Sequence, residues 1–185
     1  PDHPVYSPDH NRLYIGTFLS EIVAVDLESH DVVDRYDTEG WVWGSPTLMN
    51  NTLYFGDLEG YVYAVPLNDD GSFNEDEDWR QDVSDEPVRS APVVVENVAV
   101  MVGGAPAQID LVIAGSQNNY VYALNREDGA RIWDEKMDGD VLTELLLVPA
   151  AGDDPARVIV GTSARGHLLN ALNVTDGSEN WHHSY

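Results

Sequence analysis

Four versions of one short phrase run through this chain, and such a repeat restricts the fold more than composition can. Each copy must be a small unit that buries its faces against its neighbours. The clearest copy, Leu53–Val65, reads Leu-Tyr-Phe-Gly-Asp-Leu-Glu-Gly-Tyr-Val-Tyr-Ala-Val, and Leu111–Leu124 repeats it with Tyr-Val-Tyr-Ala unchanged. An earlier copy occupies Leu13–Val25 and a later one Val158–Leu172. Gly16, Gly56 and Gly115 precede Ala24, Ala64 and Ala123 at one constant spacing, whereas Gly161 and Ala171 stand further apart. The fourth hairpin is therefore expected to carry an extra pair of residues at its turn. A second constant element follows: Gly129 and Trp133 come after Ala123 at the same spacings as Gly177 and Trp181 after Ala171. The second copy is looser, with Gly71 and Trp79, and the first has His30 and Tyr36 where Gly and Trp would stand.

The phrase has the chemistry of antiparallel strands. Short β-branched and aromatic runs alternate in period two, and turn-forming stretches such as Asp57–Gly60, Gln117–Asn119 and Glu127–Gly129 separate them. A further extended piece precedes each hairpin, at Pro4–Tyr6, Ser45–Leu48, Ala91–Val95 and Glu144–Val148. Four strands per unit follow, and the units recur unevenly, from Ala24 to Ala64, then Ala123, then Ala171, with the third the longest. This is the signature of a β-propeller blade. The expected fold is all-β, a β-propeller segment of four blades at about 1–39, 40–87, 88–139 and 140–185. The excess length of the third unit falls at Glu96–Asp110, where Gly103-Gly104-Ala105-Pro106 marks the tip of an extended hairpin.

The Gly…Tyr-Val-Tyr-Ala-Leu-Asn…Asp-Gly…Trp cadence resembles the pyrroloquinoline quinone (PQQ)-like repeat. That repeat builds quinoprotein dehydrogenases and the propeller lipoprotein of the outer-membrane protein assembly machinery. The resemblance spans the chain, is strongest at 53–65, 111–133 and 158–181, and is weakest at 1–39. It implies that Ala64, Ala123, Ala171, Gly129, Gly177, Trp133 and Trp181 are docking residues between blades rather than ligands of a quinone. It also implies that the four blades are part of a seven- or eight-bladed ring, their open faces covered by further blades of a longer chain or by a second copy completing an eight-bladed ring. The remaining alternative is an unusually small propeller.

Charge narrows the partners. There are 33 Asp and Glu against 9 Lys and Arg, a formal net charge of −24, which repels nucleic acid and anionic membranes. Lys136 is the only lysine, and dense carboxylate with so little lysine matches proteins adapted to molar salt, where the screening length shrinks to about 3 Å; the alternative is an acidic extracellular protein. With no cysteine, disulfides and thiolate metal sites are excluded. The longest apolar stretches, such as Leu145–Ala151, are too short to span a bilayer. The opening Pro1-Asp2-His3-Pro4 has no signal-peptide pattern, so a targeting segment is expected to have been removed or to lie upstream. An extracellular or envelope location is expected.

No catalytic, cofactor-binding or metal-binding residue is assigned from the sequence. The acidic loop 69–78 could hold Ca²⁺ weakly, but an EF-hand register places Pro66 at its first ligand position. His182 and His183 are a poor chelating pair, because neighbours on a strand point to opposite faces, and His3, His10, His30 and His167 are scattered among turns. Trp41-Val42-Trp43 is the one aromatic pair outside the cadence: exposed, it would be a contact surface; burial between the first two blades is the expectation. The functional expectation is a non-catalytic propeller that binds proteins or organises an assembly. The alternatives are the propeller of a PQQ- and Ca²⁺-dependent oxidoreductase and a ligand-sensing propeller joined to a signalling domain.

Overall fold

A computed structural model describes residues 2–184. Every regular element among them is a strand, and the strands form four antiparallel four-stranded sheets, each in simple chain order. The first sheet is β1 (Val5–Ser7), β2 (Arg12–Gly16), β3 (Glu21–Asp26) and β4 (Val32–Asp37). The second is β5 (Thr47–Met49), β6 (Thr52–Gly56), β7 (Tyr61–Pro66) and β8 (Trp79–Asp82). The third is β9 (Val93–Val102), β10 (Ala105–Ser116), β11 (Tyr120–Asn125) and β12 (Arg131–Lys136). The fourth is β13 (Leu146–Val148), β14 (Arg157–Gly161), β15 (Leu169–Asn173) and β16 (Glu179–His183). The chain divides at Ala91/Pro92 into two units of two sheets each.

The repeat is visible in the register. Ala64, Ala123 and Ala171 lie directly opposite Trp79, Trp133 and Trp181 on the neighbouring strand. In the first sheet Asp34, not Tyr36, faces Ala24, and Tyr36 pairs with Ile22. The tryptophan position is thus held by an acid, whose carboxylate accepts the Phe73 amide proton at 2.8 Å. His30 does take the glycine position. Its φ of 65° and its amide bond to the Asp26 carbonyl match Gly129 (71°, to Asn125) and Gly177 (74°, to Asn173). Gly161 pairs with Leu169, whereas Gly56 pairs with Val62 and Gly115 with Val121, so the turn between β14 and β15 is longer by the expected pair of residues. The β9–β10 hairpin turns at Gly103-Gly104, with Val102 opposite Ala105.

The residue after each repeat glycine has a shared task that the cadence did not reveal. Thr17, Asp57, Ser116 and Thr162 each accept, through a side-chain oxygen, the amide proton of the next residue but one (Leu19, Glu59, Asn118, Ala164). Such local bonds fix the turn. Asp57 goes further. Fully buried, it also accepts from the Tyr61 amide (2.9 Å), the Gly40 amide (2.9 Å) and the Tyr63 hydroxyl (2.8 Å).

Each unit has its own core. In the first it is aromatic: Phe55 and Tyr63 stack at 4.9 Å, Tyr36 meets Phe55 edge-on, and Tyr14 meets Phe73 edge-on at 5.7 Å. Their hydroxyls all find acceptors: Tyr14 donates to the Gly71 carbonyl, Tyr36 to Asp78 and Tyr63 to Asp57. Burial pushes the Tyr14 hydroxyl up to about 12, and Tyr36 and Tyr63 are raised further, again chiefly by burial. The second core is aliphatic, built from Leu111, Ile113, Val121, Val158, Val160 and Leu172 around Trp133.

Candidate interaction site

The site grows from one buried valine. Val42, between the first two sheets in sequence, donates its amide to the Thr17 carbonyl and fills the space beside Gly16, where any side chain on that glycine would collide with it. Val88 stands in the same relation to Asp57 and Gly56, and the Val141 amide bonds the Ser116 carbonyl in the second unit. These valines are pegs, each fixing the link that follows a sheet to the turn after the repeat glycine.

Because the link is extended around its peg, the residues flanking a buried valine face outward. In the other two links these are Pro87 and Arg89, and Asp140 and Leu142; in the first they are Trp41 and Trp43. The expected burial of this pair is corrected by the structure: Trp41 is 50% and Trp43 41% exposed, and it is Val42 that is buried. Phe18, 42% exposed at the tip of the β2–β3 turn, lies 5.5 Å from each indole, tilted by 54° and 46°. The Arg89 guanidinium sits 5.1 Å from the Trp43 ring centre, a cation–π contact. The backbone beneath is tied on both sides, the Trp41 carbonyl accepting from Leu58 and the Trp43 carbonyl from Asp2. The result is a fixed aromatic surface on a sheet-borne scaffold, at the end of the unit that carries the β2–β3 and β6–β7 turns.

Acid lies beside it. Just before Trp41 in the chain, Glu39 borders a hollow of about 410 Å³ together with Glu59, Tyr61, Asp82 and Asp85. Glu59 follows Leu58, the residue bonded to the Trp41 carbonyl. Arg80 pairs with Glu39 at 2.8 Å. A ligand with an apolar side chain for the indoles and a basic one for the hollow fits this chemistry. In the second unit a cleft of about 520 Å³ lies between the extended hairpin and the Trp133 strand, bordered by Met101, Pro106 and Ile132.

The other residues singled out in the sequence are placed as follows. In the loop 69–78, the Asp70 carboxylate accepts from the Ser72 hydroxyl and amide, which hold it below the usual carboxylate range, and Asp78 accepts a hydrogen bond from the Tyr36 hydroxyl. His10 bonds the Ser7 hydroxyl and His3 meets Asp2. His167 is not scattered: it stacks on His182, the ring centres 3.9 Å apart. The lengthened turn brings it there, and no local sequence signal links it to residue 182.

The fold and the repeat define a PQQ-type β-propeller. The family model described as outer membrane protein assembly factor BamB matches residues 72–185, and the chain belongs to that family. It is 29% identical over 136 residues to BamB of Yersinia pestis, covering 74% of this chain and 30% of the relative. Identity to a putative dehydrogenase, XoxF of Paracoccus denitrificans, is also 29%, over 147 residues and 22% of that protein. BamB of Shewanella oneidensis is 33% identical over 103 residues. The chain thus spans less than a third of these relatives. Among solved structures, BamB from Moraxella catarrhalis (TM-score 0.67, 14% identity) and Sqt1 from Saccharomyces cerevisiae (0.73, 13%) match 98% of this chain over 47% and 50% of theirs.

Proposed function

We propose that this chain is a non-catalytic protein-binding part of a propeller that serves assembly at the cell envelope. The observation that carries this reading is the Phe18–Trp41–Trp43 surface with Arg89 over one of its rings. Rigid, half-exposed tryptophans next to an arginine are the residue types that dominate binding energy at protein interfaces. The family supports the same reading, since the Yersinia and Shewanella relatives carry the name of an assembly factor. The partner we propose is a protein segment in extended form with alternating apolar and basic side chains. A chain of net charge −24 attracts such a segment and rejects nucleic acid.

The test uses short extended peptides of alternating aromatic and Lys/Arg residues, followed by tryptophan fluorescence and calorimetry. Trp41→Ala and Trp43→Ala should each weaken binding by about 2 kcal/mol, the cost of losing an interface anchor, with thermal stability unchanged. Trp181→Ala, exposed on β16, should bind like the parent. Equal affinity for all three variants refutes the aromatic surface as the site. The Paracoccus relative favours a second reading, the propeller of a quinoprotein oxidoreductase. Titration of the full-length protein with PQQ and Ca²⁺, read by quinone absorbance, separates the two.

A further inference from the structure

We infer that His167, His182 and Glu179 form a binding site for a divalent late first-row metal ion of the Zn²⁺ type. The three side chains bring one ligand atom each to within 4.8 Å of one another. Both imidazole Nδ1 atoms face the Glu179 carboxylate, His182 at 2.7 Å and His167 at 3.8 Å. Two neutral imidazoles and a carboxylate are the donors that Zn²⁺, Co²⁺ and Ni²⁺ prefer, whereas Ca²⁺ and Mg²⁺ take oxygen ligands only.

Two backbone irregularities build the site. On a regular strand Glu179 and His182, three apart, would point to opposite faces. Here the register shifts between Ala171 and Leu172: Trp181 pairs with Ala171 and Glu179 with Leu172, leaving Asn180 as the extra residue of a bulge. Glu179 and His182 therefore share the face of their partners Leu172 and Asn170. The second irregularity is the long turn 162–168, which carries His167 onto that face. Its position is fixed through its carbonyl, which accepts from the Thr162 hydroxyl (2.6 Å) and from the side chain of the fully buried Asn170 (3.0 Å). The Leu168 amide then bonds the His183 carbonyl, joining turn to edge strand.

A further carboxylate completes the arrangement. Asp138 lies 3.3 Å from the His167 Nε2 atom, opposite the nitrogen that faces Glu179. A proton on Nε2 directed at Asp138 leaves the Nδ1 lone pair free for a metal, the outer-shell pattern that orients ligating histidines. Zn–N bonds of about 2.0–2.1 Å require donors closer together than the present spread. Rotation of the half-exposed Glu179 and His182 side chains supplies the adjustment. Three protein ligands leave the fourth position to water, so the ion clamps the long turn to β16.

The experiment is titration of the untagged protein with Co²⁺, read by its visible absorption, and with Zn²⁺, read by calorimetry. Expected is one ion per chain, with absorption stronger than that of the aqueous ion, displaced by Zn²⁺ and untouched by excess Mg²⁺. Asp138→Asn should lower Zn²⁺ affinity by roughly 10- to 100-fold, and His167→Ala or His182→Ala by more, with His183→Ala unchanged. His167→Gln and far-ultraviolet circular dichroism of every variant separate lost ligation from lost folding. An aqueous Co²⁺ spectrum, or affinities indifferent to His167 and His182 in folded variants, overturns the assignment, including the case in which the ion binds the 69–78 loop.

Discussion

The indole of Trp133 occupies the space that a side chain on Gly177 would need. A Cβ there would lie 2.6 Å from the ring, and the indole N–H is anchored 2.9 Å from the Val174 carbonyl. The third sheet is thereby locked onto the turn before β16, within one hydrophobic core.

Gly177→Ala therefore meets both a clash and a backbone conformation (φ 74°) that alanine dislikes. Overpacking costs about 1–3 kcal/mol and the left-handed backbone about 1 kcal/mol more. Gly152 has a similar φ of 60° and open space around it, so Gly152→Ala should show the backbone cost alone. Denaturant unfolding of the two variants measures the difference. Equal losses would mean the tryptophan contact contributes nothing.

Asp57 should be the most sensitive polar position. Asp57→Ala strands four donors, among them the Tyr63 hydroxyl, and should cost at least about 3 kcal/mol. Asp57→Ser introduces the hydroxyl found at the same position in the third sheet and should recover part of that loss through the Glu59 amide. Thermal denaturation ranks the three proteins. A serine variant no better than alanine would argue against the shared turn role.

Alkali should unfold the first unit. Tyr14, Tyr36 and Tyr63 have folded-state values above the ordinary 10.0, so the unfolded chain releases their protons first. Stability is then fully present below pH 10 and falls as pH rises toward about 12, where Tyr14 titrates in the folded state. Tyrosinate absorbance and circular dichroism should change together. Tyr14→Phe should make the decline shallower, and an unchanged slope would sink this account.

Molar salt should stabilise the protein. At a net charge of −24, screening of carboxylate repulsion should be worth about 2 kcal/mol or more, moving Tm upward by ~4–8 °C at this chain length. Scanning calorimetry in dilute and molar KCl reads the shift directly. A Tm indifferent to KCl would leave the acidic surface without a stability role.

The repeat makes the sheets legible in the sequence. Gly-to-Ala spacing gives the hairpin register, including the longer turn at 162–168, because strand pairing is periodic and local turns set the offset. It also explains His30, which adopts the glycine conformation at the matching position. The Ala123-to-Trp133 spacing, counted from Ala24, lands on Asp34, its observed partner, and the bulge after the alanine is common to the first, third and fourth sheets. It is the aromatic character of Tyr36 that misleads, since Tyr36 pairs with Ile22. The cap formed by Thr17, Asp57, Ser116 and Thr162 stands in plain sight as a polar residue after each repeat glycine, hidden by the variety of side chains that do the same job.

By itself, then, the sequence determined four antiparallel sheets, their turn lengths and an acidic surface, all of which follow from local periodicity and composition. Tertiary structure decided which side chains meet. Val42 is buried because Gly16, in the preceding sheet, leaves room for it, and that single packing choice turns Trp41 and Trp43 outward. His167 reaches His182 because a bulge and a lengthened turn act on the same face of one sheet. Both meetings join residues distant in the chain through backbone geometry, which no local pattern of side chains encodes.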